Sequence, residues 1–200
     1  MRDFHVFIEQ QGEQIYVGKI TGSGSEDAVF SYAQEYLDNP SSCPISIHLP
    51  LQAQNFSAEE TRLFFEGLLP EGFTRKCVAG WIHADEYDYL TILAALGREC
   101  LGAIQIIEDG MDVPKAGYQK LTKEDVCRLA KEGASEAAEL VTKAHLSLTG
   151  ASGKVGLYYK IDTNEWYLPV GAAPSTHIVK QSHVRLDGIV TNEQLCLQTA

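Results

Sequence analysis

Apolar and polar residues alternate along residues 3–8 and again along 14–20, the period-two pattern of half-buried strands, with Gln11-Gly12 as the turn between them. A third strand is predicted near residues 28–32. From residue 57 the apolar period lengthens to that of a helix. Ser57 and Glu60 have capping-box spacing and Pro70 enforces a stop, so a helix is predicted over 57–68. Further helices are predicted over about 72–82 and 86–96, the second closed by Gly97, and residues 103–107 read as a strand. Leu63, Phe64 and Leu68 form a stripe expected in the core, and Trp81 and Trp166 are expected as packing anchors. The stretch 108–119 carries Gly110, Pro114 and Gly117 and reads as a connector, after which Thr122 and Asp125 cap a short helix to about Glu132. Strand patterns resume from about residue 142. The predicted class is α+β, with a strand-and-helix subdomain at 1–108, a connector with a short helix at 109–140, and a second sheet with one helix at 141–200.

The second sheet carries the candidate chemistry. Gly150, Gly153 and Gly156 recur at a spacing of three between two apolar runs, so the backbone around Ala151 and Ser152 can bend and approach a ligand closely. Successive N–H groups in such a turn make a concave anion site, and Lys154 adds a charge beside it. Neither common nucleotide fingerprint is complete: Leu148 stands where a Walker loop needs its first glycine, and Ser152 where GxGxxG needs its second. Spacing alone therefore fits a phosphate cradle or an ordinary glycine-rich hairpin. Downstream, Thr176-His177-Ile178-Val179-Lys180 reads as a short strand ending in a lysine, and Glu193 falls in the first turn of a helix that Thr191 or Asn192 can cap. A glycine turn, a strand lysine and a helix glutamate are the parts by which a kinase N-lobe holds ATP phosphates. A solvated lysine at a strand end and a glutamate favoured by the helix dipole would read the same way.

The order of blocks narrows this. Ser147 to Lys154 (SLTGASGK) resembles the S-x-x-GAQ-x-K loop of the HipA-family serine/threonine kinases, toxins of bacterial toxin–antitoxin pairs. Pro174 to Lys180 (PSTHIVK) is similar to that family's P-[ST]-THI-x-K strand, and Asn192-Glu193 with Cys196 to its NE-x-x-C helix. Upstream, Leu49-Pro50-Leu51, residues 64–72 (FFEGLLPEG) and residues 97–103 (GRECLGA) resemble the N-terminal subdomain in the same order. The resemblance implies a protein-kinase-like N-lobe in which Gly150, Ala151, Ser152, Gly153 and Lys154 touch the ATP phosphates and Lys180 the α/β-phosphates, with Glu193 as its partner. It implies ATP and Mg²⁺ as cofactors of the complete protein, a protein serine or threonine as substrate, a HipB-like DNA-binding antitoxin as partner, and Ser147 as a site of autophosphorylation that ejects the loop and switches the kinase off. Ser152-Gly153 departs from the family's glutamine and variable residue, which removes a side-chain amide from the loop.

No H-x-x-D or DFG-like element occurs in the 200 residues, so the catalytic base and the metal-binding aspartate are expected in a C-lobe beyond residue 200, and this chain by itself is expected to be inactive as a kinase. The apparent last helix has no closing glycine and leaves Leu195 and Leu197 without partners, which favours a chain cut from a longer kinase. The other reading is a self-standing, non-catalytic module that sequesters a kinase C-lobe or an antitoxin.

Charge refines the expected partner. Residues 1–110 hold 6 Lys and Arg against 17 Asp and Glu, while residues 111–200 hold 10 against 10, so the whole net charge of −11 belongs to the first part. An acidic surface repels phosphate backbones, which disfavours direct nucleic-acid binding there and suits a basic protein partner or simple solubility. No apolar run approaches the ~18 residues of a membrane span, and the first ten residues lack a signal-peptide core. Cys43, Cys77, Cys100, Cys127 and Cys196 are scattered without a C-x-x-C pair, and the six histidines without H-E-x-x-H. That reads as reduced, buried thiols in a cytoplasmic protein with no metal site.

Overall fold

The structure is a computed structural model and describes residues 1–10, 13–98, 101, 103–112, 115–132, 154–171, 173–180 and 188–199. The alternating segments form β1 (Arg2–Gln10) and β2 (Glu13–Gly22), an antiparallel pair whose register shifts between Val6 and Phe7. β3 (Val29–Tyr32) pairs outside β2 and β4 (Ile104–Glu108) outside β1, giving the order β3-β2-β1-β4. After the short α1 (Gln34–Asp38), which the sequence pattern does not reveal, come α2 (Ala58–Glu66), α3 (Gly72–Trp81) and α4 (Tyr89–Leu96). The helix α2 packs against β3, α4 packs against β4, and the two helices touch. Phe4, Val6, Ile20, Phe30, Phe65, Leu90, Leu93 and Ile106 are fully buried between them. Each such side chain contributes roughly 1.5–3 kcal/mol of transfer free energy, and this burial is what gathers the strands and helices.

The capping box at α2 forms: Ser57 Oγ accepts the Glu60 N–H at 3.2 Å and Glu60 Oε2 accepts the Ser57 N–H at 2.8 Å. Its buried stripe, however, differs from the expected one. Thr61, Phe65 and Leu69 face inward, whereas Phe64 and Leu68 are half-buried and Leu63 is 72% exposed. A polar residue heads the buried stripe because the Thr61 hydroxyl accepts the Phe30 N–H at 2.9 Å and donates to the Ser57 carbonyl at 2.8 Å, so its burial leaves nothing unpaired. Gly97 ends α4 as expected, but at φ −70°, not in a left-handed conformation. The demand there is space: a Cβ would lie 2.6 Å from the Leu93 carbonyl oxygen and 2.8 Å from Ile106 Cβ.

Two further expectations are corrected. Trp81, at the end of α3, is 46% exposed and anchors no core. Cys43, Cys77, Cys127 and Cys196 are free thiols, but three of them are exposed and Cys77 is half-buried. Cys100 lies outside the described residues, as does the Gln11-Gly12 turn.

A second antiparallel sheet is built from β5 (Gly117–Leu121), β6 (Lys154–Lys160), β7 (Glu165–Val170) and β8 (His177–Lys180), in the order β5-β7-β6-β8. β5 starts inside the stretch expected to be connector and belongs to this sheet, pairing with β7 from Gly117 opposite Val170 to Leu121 opposite Trp166. Its three central residues are exposed, so it carries little apolar signal and Gly117 reads as a breaker. The helix α5 (Lys123–Glu132) follows, capped by Thr122 and Asp125, each accepting the other's N–H at 3.1 Å. Leu129 is buried in the same apolar cluster as Leu121, Val155, Leu157 and Leu168, with Val126, Trp166 and Val179 packed around it. The last described element is α6 (Ile189–Thr199). The class is α+β. Among the described residues no helix is long and apolar enough to cross a membrane.

Candidate functional site

Strands β6 and β8 set Lys154 opposite Lys180, Val155 opposite Val179, Gly156 opposite Ile178 and Leu157 opposite His177. Opposed residues of an antiparallel pair share a face, and neighbours along a strand alternate between faces. Val155, Leu157 and Val179 go to the apolar cluster, which leaves Lys154 and Lys180 side by side on the other face. Two like charges placed directly opposite each other disfavour the pairing. Half of that conflict is relieved by α6, whose Glu193 Oε1 makes an ion pair with Lys180 Nζ. These two side chains are 37% and 41% exposed, so the pair contributes little to folding, on the order of 0.2–1 kcal/mol. Lys154 has no carboxylate partner among the described residues. Among the described residues the face therefore holds, at Lys154, a positive charge with no carboxylate partner, an arrangement suited to a polyanion.

Gly150, Ala151, Ser152 and Gly153 of that turn, and Ser147 before it, lie outside the described residues. Of the candidate residues the structure thus brings together Lys154, Lys180 and Glu193. α6 buries none of its side chains, and Val190, Leu195 and Leu197 are exposed. No group of three or more His, Cys, Asp or Glu among the described residues is placed to hold a metal ion.

Other features of the sheet went unread in the sequence. Tyr158 and Tyr167 are opposed on β6 and β7, and Tyr118 of β5 packs on Tyr158 with ring centres 4.4 Å apart. Lys120 makes an ion pair with Glu165, whose carboxyl is pulled down to about 2 by Lys120, with further hydrogen bonds from Tyr167 and Thr163. Thr176, just before β8, accepts the Tyr159 N–H on its hydroxyl at 2.9 Å and donates its own N–H to the Leu157 carbonyl at 3.0 Å. Period-two alternation over 154–160 could have revealed the tyrosine face, but no local signal announces the Thr176 bond.

With this geometry in view, the likeness to known proteins is informative. The HipA N-terminal domain family matches residues 10–107. The chain belongs to the HipA family. A putative kinase of Sinorhizobium fredii, Y4mE, is 32% identical over 193 residues, which is 92% of this chain and 45% of that protein. The serine/threonine-protein kinase toxin HipA of Shewanella oneidensis is 23% identical over 196 residues, 96% of this chain and 43% of the toxin. A protein of Haemophilus influenzae is 30% identical over 112 residues, 54% of this chain and 98% of that one. The chain thus spans less than half the length of the two kinase relatives. A solved structure of the Shewanella HipA, HipB and operator DNA complex shares the HipA fold with it, at a TM-score of 0.65 and 20% identity over 90% of this chain and 42% of the other.

Proposed function

We propose that this chain is the N-terminal part of a HipA-like protein-serine/threonine kinase of a toxin–antitoxin pair, with an N-terminal subdomain at 1–108, a connecting region at 109–140 and the start of the ATP-binding kinase domain at 141–200. The observation that carries this reading is the Lys180–Glu193 ion pair between a strand and the following helix, with Lys154 directly opposite Lys180. A strand lysine oriented by a helix glutamate is how protein kinases hold the α/β-phosphates. In this reading the N–H groups of Gly150 to Gly153 cup the outer phosphates, Lys154 neutralises them, Lys180 binds the inner ones, and Glu193 keeps Lys180 aimed at them. Bound ATP would supply the phosphoryl group, with Mg²⁺ as counter-charge; in this reading the metal's ligands and the catalytic base lie in a C-lobe beyond residue 200, since the 200 residues contain no H-x-x-D or DFG-like element. Ser147 is the regulatory serine: a phosphate there, carrying roughly −1.5 to −2 charge, would compete for the turn's N–H groups.

The acidic first part suits a basic, DNA-binding antitoxin of the HipB kind, in line with the company HipA keeps in the Shewanella complex. A second reading, a non-catalytic module that sequesters a kinase C-lobe or an antitoxin, is favoured by the Haemophilus protein, 98% of which matches about half of this chain (54%). Titration of the chain with Mg·ATP, followed by amide chemical shifts, tests the first reading. Shifts should concentrate on residues 150–156 and 178–180 and vanish in Lys180→Ala. Shifts unaltered by Lys180→Ala would refute the assignment. For Ser147, mass spectrometry of the active longer protein should find its phosphate, and phosphate on Ser152 alone would refute that role.

A further inference from the structure

β8 has four residues, and only Val179 among them packs against the apolar cluster. A strand so short and exposed has little burial to fix its register, yet a slip of one residue would turn Lys180 to the opposite face, away from Lys154 and Glu193. Something other than burial must hold it. At its start the ladder becomes irregular: Thr176 N–H donates to the Leu157 carbonyl at 3.0 Å, although Leu157 stands opposite His177 in the register. The Thr176 hydroxyl takes the place of a backbone carbonyl and accepts the Tyr159 N–H at 2.9 Å. The same oxygen lies 2.8 Å from His177 Nδ1. The His177 ring in turn stands edge-on to Tyr159 and Trp166, with centres 5.6 Å and 5.3 Å away. One side chain thus pins β8 to β6 four residues before Lys180, and the next residue is wedged against two aromatic rings.

We propose that Thr176 is the positioning residue for Lys180, its hydroxyl fixing the register of β8 on β6 so that Lys180 meets Glu193 and faces Lys154. This rests on the reading of Lys180 as a phosphate-binding lysine, but the geometry it asserts can be tested without nucleotide. The threonine touches no ligand and acts only through the strand it anchors. Serine preserves the oxygen and should preserve the register. Valine preserves the shape and removes the acceptor, leaving the Tyr159 N–H without its partner.

Brief lysine acylation of the folded 200-residue chain, quantified site by site by mass spectrometry, separates the possibilities. An amine held in an ion pair reacts more slowly than a free one, so Lys180 should react slowly in the wild type and several-fold faster in Glu193→Gln. Loss of one hydrogen bond corresponds to roughly 2- to 12-fold in an equilibrium. Thr176→Val should therefore raise Lys180 reactivity by about that factor, leave Lys160 and Lys120 unchanged, and add nothing in the Glu193→Gln background. Thr176→Ser should behave as wild type, and all variants should remain folded, each with a single cooperative thermal melt. Lys180 reactivity in Thr176→Val equal to wild type, or a rise shared by all lysines, would overturn the proposal. A separate arm adds Mg·ATP: failure to protect Lys180 in the wild type overturns the phosphate-site reading, while the Thr176 result still decides the positioning role.

Discussion

The opposition of Lys154 and Lys180 predicts that one substitution moves stability and ligand affinity in opposite directions. Lys154→Gln removes a charge and keeps most of the stem. Opposed side chains have Cβ atoms roughly 4.5–5.5 Å apart, so extended ammonium groups lie about 6 Å apart and repel by about 0.7 kcal/mol in a water-like dielectric. Glu193 already offsets part of this through Lys180. The variant should thus be more stable by about 0.3–0.7 kcal/mol at low salt, a rise in Tm of roughly 1–3 °C for a chain of this size. The gain should fade at 1 M salt, where the screening length is about 3 Å. Mg·ATP affinity should fall about tenfold or more, since a charge-assisted hydrogen bond contributes roughly 1.5–3 kcal/mol. Lys160→Gln is the control on the same strand: Lys160 stands opposite Glu165, so removing its charge should lower stability slightly and leave ATP binding alone. Urea titrations at 10 mM and 1 M salt, paired with calorimetric ATP titrations, read both quantities. A Lys154→Gln chain less stable than wild type at low salt, or one that binds ATP undiminished, would show that the two lysines do not form the polyanion site described.

Thr61→Val keeps volume and removes one hydroxyl, leaving the buried Phe30 N–H unpaired; a loss of roughly 1–2 kcal/mol and about 2–8 °C in Tm is expected, and an unchanged melt would mean another partner takes that N–H. Burial pushes the Glu66 carboxyl up, but hydrogen bonds from Arg62 and Arg75 outweigh it and hold the folded value below the ordinary 4.5. A lowered folded value means that this stabilisation is complete above the unfolded value and is lost as pH falls through the folded one. Stability should therefore drop more steeply below about pH 4.5 in wild type than in Glu66→Gln, and parallel acid limbs would refute the coupling. In the kinase reading, Mg·ATP binding by the isolated chain should be weak, because Gly150–Lys154 and Lys180 would provide only phosphate contacts and the described residues hold no cluster of three or more His, Cys, Asp or Glu for the metal; sub-micromolar affinity by calorimetry would contradict this.

Periodicity and local capping chemistry were enough to place β1, β2, β3, α2, α3, α4, β4, α5 and β8 within a few residues. Those signals are local: alternation reports a half-buried strand, and a serine three residues before a glutamate reports a helix start, whatever surrounds them. The order of strand lysine and helix glutamate was equally legible, since each is a short segment with its own composition. What failed were readings that depend on partners distant in sequence. Leu63 looked like core and Thr61 did not, because no sequence window shows that β3 offers Thr61 an N–H to bind. β5 was hidden because an exposed edge strand such as Tyr118-Gln119-Lys120 carries little apolar signal, and its identity lies in its pairing with β7. Gly97 looked like a helix terminator, but the requirement for glycine comes from Ile106, nine residues away on β4. That Lys154 and Lys180 face each other, and that Glu193 neutralises only one of them, is a matter of strand register. Register is settled by the sum of cross-strand contacts and by anchors such as Thr176, and a difference of one residue would have sent the same lysine to the opposite face.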